Sequence, residues 1–154
     1  MQGLDELLAV HPFFVGLDGD ALTLVAGCAT NMHFRAGEYL FREGGPADRF
    51  YVLRHGRVQL EVSSPGRRLL VLASFEREDV VGWSWLIPPY RWEADAQATE
   101  ATDAIAFDGL CLRGKCDDDP ALGYELLKRA TANMNARLFA ALVRSLDLYG
   151  PARG

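Results

Sequence analysis

Residues 80–98 read VVGWSWLIPPYRWEADAQA. Six positions in this stretch, Gly82, Trp83, Ser84, Trp85, Arg91 and Trp92, are of types that hold small molecules. A guanidinium pairs with a phosphate through charge-assisted hydrogen bonds. Indole rings stack on a purine or another planar group. A glycine lets the backbone approach what it holds. The chemistry on offer is therefore binding, not bond making. No Ser-His-Asp, Walker or Rossmann pattern occurs anywhere in the chain, so it reads as a non-enzyme. A second account of the same residues stays open: Trp83, Trp85 and Trp92 fill a pocket themselves and leave no ligand site.

The other reactive residues are scattered. His11, His33 and His55 form no His-x-His pair, which a cupin-type metal site would use. No metal ligand is assigned. Met32 and His33 are the residues a haem would have to use, and nothing else in the chain supports one. Cys28, Cys111 and Cys116 are too few for the usual four-cysteine iron–sulfur set. They read as free thiols in a reducing cytoplasm.

Composition narrows the classes further. The chain has 154 residues, 49% hydrophobic and 24% charged, which suits one domain spanning 1–154. Its net charge of -5 argues against wrapping nucleic acid but leaves room for a small anion held locally. No apolar run approaches the ~20 residues of a membrane helix. The N-terminus has no basic region ahead of an apolar core, so no signal peptide is expected. The expected location is cytoplasmic.

The elements that must position residues 80–98 follow from periodicity. Short helices are expected over 3–9 and 19–29, the second capped by Asp18 or Asp20. From residue 31 the period changes to two, with breaks at Ala36-Gly37, Gly44-Gly45, Gly56 and Pro65-Gly66. Two more strands fit 91–99 and 101–107. Short strands joined by glycine turns predict a mainly β fold: a jelly roll, or double-stranded β-helix, of about eight strands. CDDDP reads as a solvated turn and helix cap. A long helix follows over about 120–148, with Pro120 in its first turn. One of its stripes holds Leu127, Ala130, Met134, Leu138, Ala141 and Ser145; a second apolar set holds Leu126, Leu142 and Leu146. One barrel can hardly cover both, so a homodimer through this helix is expected. The tail GPARG reads as frayed.

With that order of elements, HPFFVGL and FRAGEYLFREGGPADRFYVLRHGRVQLEV resemble the cyclic-nucleotide-binding domains of the catabolite-activator and kinase-regulatory-subunit superfamily. Gly37, Gly44, Tyr51 and Gly56 fall in register with that family's core pattern. The resemblance runs from about His11 to Leu148. It implies that residues 80–98 occupy the family's phosphate-binding cassette. There a Gly-Glu pair and an Arg hold the ligand: the Glu takes the ribose 2′-hydroxyl and the Arg pairs with the cyclic phosphate. Here Gly82 matches, Trp83 stands at the Glu position, Ser84, Trp85 and Leu86 form the short helix, and Arg91 lies near the Arg position. Trp92 follows where a small residue is usual. Indole is donor only, so Trp83 takes no ribose hydroxyl.

The expectation is a ligand-sensing regulatory module with altered or weakened nucleotide binding. A ligand-free scaffold with an aromatic-filled pocket is the alternative. The resemblance implies a cyclic nucleotide or another small anion as ligand, and no further cofactor. The expected partners are a second copy and an unidentified protein, with neither nucleic acid nor membrane. The family's transcription factors carry a helix-turn-helix after the long helix, and no such segment is read here.

Overall fold

Phe50-Tyr51-Val52-Leu53 is an unbroken apolar run, the pattern of a strand buried on both faces. The computed structural model, which describes residues 3–63, 66 and 69–149, puts it there. Strands β1 (Ala29–Phe34), β2 (Tyr39–Phe41), β3 (Arg49–His55), β4 (Val58–Ser63), β5 (Leu69–Phe75), β6 (Val80–Val81), β7 (Asp95–Ala98) and β8 (Thr102–Asp108) form two antiparallel sheets. Their orders are β1-β8-β3-β6 and β2-β7-β4-β5. Helices α1 (Leu4–Ala9) and α2 (Gly19–Ala26) precede the roll; α3 (Gly109–Asp118) and α4 (Pro120–Tyr149) follow it. This is the expected jelly roll with short N-terminal helices and a long C-terminal one.

The first sheet separates two cores. Phe50 and Val52 of β3, with Ile105 and Phe107 of β8, face the helices and pack with Leu8, Phe14, Leu112, Leu122 and Leu126. Tyr51 and Leu53, with Ala104 and Ala106, face the barrel interior and pack with Phe34, Phe41, Val58 and Val81. The period-two geometry of a strand sends neighbours to opposite faces. Both faces are apolar because both are covered.

Local chemistry sets the ends of the elements. Asp18 caps α2, its carboxylate accepting from the Ala21 N–H at 2.8 Å. Asp108 does the same for α3, accepting from the Cys111 N–H at 3.1 Å. Gly56 turns β3 into β4 with φ 99°, and a Cβ there would lie 2.5 Å from the Ala101 carbonyl oxygen. Between α1 and α2, His11 accepts from the Phe13 N–H through Nδ1 and donates through Nε2 to the Glu78 carbonyl. That tautomer is neutral, and burial lowers the His11 pKa.

Three sequence expectations change. CDDDP is not simply a turn: Cys116, Asp117 and Asp118 close α3, a helix the periodicity did not suggest, and Asp119 accepts from the Leu122 N–H at 3.3 Å. In α4 the buried stripe is Leu122, Leu126 and Ala130, so Leu126 joins Ala130 and Leu127 points outward. The reading of three free thiols is also corrected. Cys28, just before β1, and Cys111, in the first turn of α3, form a disulfide with Cα atoms 5.8 Å apart. Hydrogen bonding between Asp108 N–H and the Cys28 carbonyl brings the two segments together. Cys116 alone is free among the described residues. Pro65 of the expected Pro65-Gly66 turn and the tail 150–154 lie outside the described residues.

Alkylation of the unreduced native protein should label Cys116 alone. It should do so slowly, because desolvation and then Asp117 and Asp119 raise that thiol's pKa. Cys28→Ser should lower the unfolding free energy by ~2–4 kcal/mol in urea titrations. Rapid labelling of all three thiols in the native protein would contradict the bond.

Candidate ligand pocket

Strand β6 is only Val80–Val81, paired with Tyr51 and Val52. Its end delivers residues 82–94 to the rim shared by the two cores. Gly82 has φ 99°, and a Cβ placed on it would meet Trp92 Cη2 at 2.7 Å and Cζ3 at 3.0 Å. The glycine is required twice, by its backbone conformation and by the indole lying against it. Trp83 precedes a 3₁₀ turn, Ser84–Leu86, and its carbonyl accepts from the Leu86 N–H at 3.0 Å. The Pro88–Pro89 peptide is cis and Tyr90 has φ 57°, so the loop reverses tightly before Arg91. Residues 90–92 then pair with the 44–47 loop: Ala47 N–H to Tyr90 carbonyl at 2.8 Å, Gly44 N–H to Trp92 carbonyl at 2.8 Å, and Trp92 N–H to Gly45 carbonyl at 3.0 Å.

The three indoles go to three places. Trp85 is 2% exposed in the helix-side core, stacked on Phe50 with centroids 4.8 Å apart. Arg113 of α3 donates to the Trp85 carbonyl and lies over the Tyr90 ring at 4.1 Å. Trp92 is 6% exposed in the barrel core, stacked on Phe41 at 3.7 Å and 8°. Trp83 is half-buried between them, its ring 5.7 Å from Phe13.

Beside Trp83 and Trp92 lies a pocket of about 360 Å³. Its walls are Phe41, Leu60, Leu72, Ala73 and Phe75 of the barrel, Gly82, Trp83 and Ser84 of the cassette, Trp92 to Ala94, and Met134, Arg137 and Leu138 of α4. The lining is mainly apolar and aromatic, as in small-molecule sites generally. Its charged groups are Arg137 and Glu93. Arg137 pairs with Asp79 at 3.3 Å and lies over the Phe75 ring at 4.1 Å. Glu93 is exposed and has no ion-pair partner among the described residues.

Of the residues singled out from the sequence, Gly82, Trp83, Ser84 and Trp92 therefore line one pocket. Trp85 does not; it anchors the cassette from the other side of the sheet. Arg91 does not line the pocket either. It is exposed, its Nη1 donating to the Gly44 carbonyl at 3.2 Å. Its neighbour Trp92 turns inward, and Glu93 is exposed again. Sequence reading missed Arg137 and Met134, which α4 brings from 42–55 positions beyond Gly82 to Trp92 in the chain, and Phe41. A barrel-facing aromatic on β2 was the one signal that could have found Phe41. No group of three or more His, Cys, Asp or Glu able to hold a metal gathers among the described residues. No helix among them is long and apolar enough to cross a membrane.

This chain belongs to the cyclic nucleotide-binding domain family, whose sequence profile matches residues 31–119, strand β1 through α3. It is similar to the CRP-like cAMP-activated global transcriptional regulator of Mycobacterium tuberculosis, 26% identical over 125 residues. That match takes in 81% of this chain and 56% of the regulator, so the chain spans little more than half the length of that relative. Among solved structures it resembles a candidate cyclic nucleotide-binding protein from Geobacter metallireducens, with TM-score 0.80 and 30% identity, covering 88% of this chain and 98% of that one. The regulatory domain of a Toxoplasma gondii cAMP-dependent kinase, solved with cAMP, shares the fold at TM-score 0.69 and 21% identity, over 83% of this chain and 48% of that one. The superfamily and the jelly-roll architecture expected from the sequence are thereby established.

Gly82→Ala should cost ~1–3 kcal/mol of stability, since it forces a strained φ and a clash with Trp92. Gly114→Ala, in open space on α3, should be neutral or stabilising by ~0.5–1 kcal/mol. Equal effects of the two in chemical denaturation would contradict the packing at Gly82.

Proposed function

We propose that this domain is a non-catalytic, ligand-sensing regulatory module whose cyclic-nucleotide binding is weakened. The observation that carries this reading is the pair of side chains after Tyr90. Arg91, the residue nearest the family's phosphate anchor, turns out to Gly44, and Trp92 lies over Gly82, where a ligand's phosphate would approach. Trp83 adds a donor-only indole at the position of a hydroxyl acceptor. Each lost charge-assisted or buried hydrogen bond weakens binding by ~1–3 kcal/mol, or about one to two orders of magnitude in affinity.

The scaffold alternative is less favoured because Trp92 fills only one end of the site and about 360 Å³ stays open beside it. Regulation, not catalysis, also fits the relatives, a transcriptional regulator and a kinase regulatory domain among them. The negative net charge does not favour duplex DNA as a partner for these residues. A cytoplasmic location is part of the proposal; the Cys28–Cys111 bond is the feature that weighs against a reducing compartment.

The second half of α4 supports a homodimer. Leu138, Phe139, Leu142 and Leu146 are 54–70% exposed along nine residues of helix. An unpartnered apolar stripe of this kind is the geometry a twin helix covers.

Calorimetry should show no saturable micromolar binding of cyclic AMP or cyclic GMP, and Arg91→Ala should change nothing. Sub-micromolar binding, or a clear loss on Arg91→Ala, would overturn the reading of the cassette. Light scattering should give a dimer mass for the parent and a monomer mass for Leu142→Glu and Phe139→Glu. A parent that runs at the monomer mass would end the dimer proposal.

A further inference from the structure

Resting on the reading of this pocket as a ligand site, we infer that its ligand is a planar aromatic molecule bearing a positive group. The inference comes from the charges and surfaces of the pocket. The half-buried indole of Trp83 stands on one wall beside Trp92, which is stacked on Phe41, and Phe75 stands on the barrel side under Arg137. Flat aromatic walls favour a flat ligand through stacking. The two ionic groups then decide its sign. Arg137 is already neutralised by Asp79 and held over Phe75, so recruiting it for an anion would break an ion pair and a ring contact. Glu93 sits on the lining with its carboxylate unpaired among the described residues. Arg91 is directed to Gly44 and away from the lining. An anion entering here passes the uncompensated charge of Glu93 at the exposed edge of the pocket. A cation meets that charge and the half-buried indole of Trp83, an electron-rich ring of the kind that attracts ammonium groups. Ser84 supplies a hydroxyl on the same wall, able to donate or accept.

This preference is the reverse of what a phosphate cassette provides. It also assigns a use to Glu93, a residue with no part in the packing of either core. Because Glu93 is exposed, its effect is that of a surface charge, not a buried one. Attraction of a cation and repulsion of an anion together amount to about a fivefold difference in affinity at low salt.

The test uses two probes of the same ring and similar size: tryptamine, cationic at neutral pH, and indole-3-acetate, anionic. Each is titrated by calorimetry into the full chain at low salt, with cyclic AMP as a third arm. Tryptamine should bind about fivefold more tightly than indole-3-acetate, with the gap shrinking in high salt. Glu93→Gln should bring the two within about twofold. Met134→Trp, which fills the pocket from the α4 side, should abolish binding of both. Circular dichroism on each variant checks the fold. Indole-3-acetate binding as tightly as tryptamine, or a preference that survives Glu93→Gln, would overturn the charge assignment and leave the pocket reading standing. Binding that survives Met134→Trp in a folded variant would place the ligand elsewhere and overturn the inference. If neither probe binds at millimolar concentration and cyclic AMP does not either, the pocket reading falls and the inference with it. If cyclic AMP alone binds, the site is an anion site and only the inference falls.

Discussion

The β1-β8-β3-β6 sheet must bury both of its faces, and the cassette is the segment that crosses its rim. Trp85 and Trp92 are seven residues apart and drive into opposite cores. One stacks on Phe50 among the helices, and the other on Phe41 inside the barrel. Burying a Trp is worth several kcal/mol, and truncating one costs ~3–5 kcal/mol. Two such anchors leave the intervening loop little freedom. The positive φ of Tyr90 is a conformation that this double anchoring can hold. The loop's outer face is fixed as well, since Arg113 of α3 holds both the Trp85 carbonyl and the Tyr90 ring.

The chemistry of the site follows from that pinning. A chain that must bury Trp92 inward sends Arg91 outward, because adjacent residues on an extended segment point to opposite sides. Arg91 forms an isolated bridge with Pro46, so its segment is extended there. The domain thus keeps the family's glycine at position 82 but gives its open side to an indole. Arg91 is kept off the pocket lining by the same packing that stabilises the loop. What remains facing the cavity is aromatic and aliphatic, with Arg137 paired and Glu93 unpaired. The packing of the loop and the make-up of the pocket lining are consequences of one side-chain alternation.

Much of this was legible in the residues. Gly37, Gly44, Gly56 and Gly82 all adopt positive φ, so their spacing carried real backbone information. The strand expected over 101–107 lies within a residue of β8, the one expected over 91–99 starts four residues before β7, and Pro120 marked the first residue of α4. The jelly roll followed from these, and the family resemblance implied where the cassette lies. What was not legible lies in long-range pairing. Cys28 and Cys111 are 83 positions apart, and only the β1–β8 pairing brings their segments together. Helix α3 has a weak apolar pattern, because among its ten residues only Gly109 and Leu112 are buried. Its cap, Asp108, looks like any acidic residue after a strand. The direction of Arg91 was hidden for a similar reason: Trp92 has an aromatic partner, Phe41, that is fifty-one positions earlier in the chain.

Helix α4 joins the regions that these interactions create. Leu122, Leu126 and Ala130 bury its first half against the helix-side core, with Arg129 donating to the Phe13 and Val15 carbonyls at 2.7 and 2.8 Å. Met134, Arg137 and Leu138 then form one wall of the pocket. Phe139, Leu142 and Leu146 follow directly, exposed. The helix is thus anchored at one end, touches the cavity in its middle and presents an apolar surface beyond it. Any molecule in the pocket contacts the turn that adjoins this surface. A ligand changes the position of such a helix only to the extent that it binds two positions with different affinity. The Arg137–Asp79 pair is the contact that would register the difference, since it ties the middle of α4 to the loop before β6. That loop leads through Val80 and Val81 to Gly82. Core packing, pocket wall and exposed stripe therefore share one rigid element, and the ion pair at Arg137 links it back to the cassette.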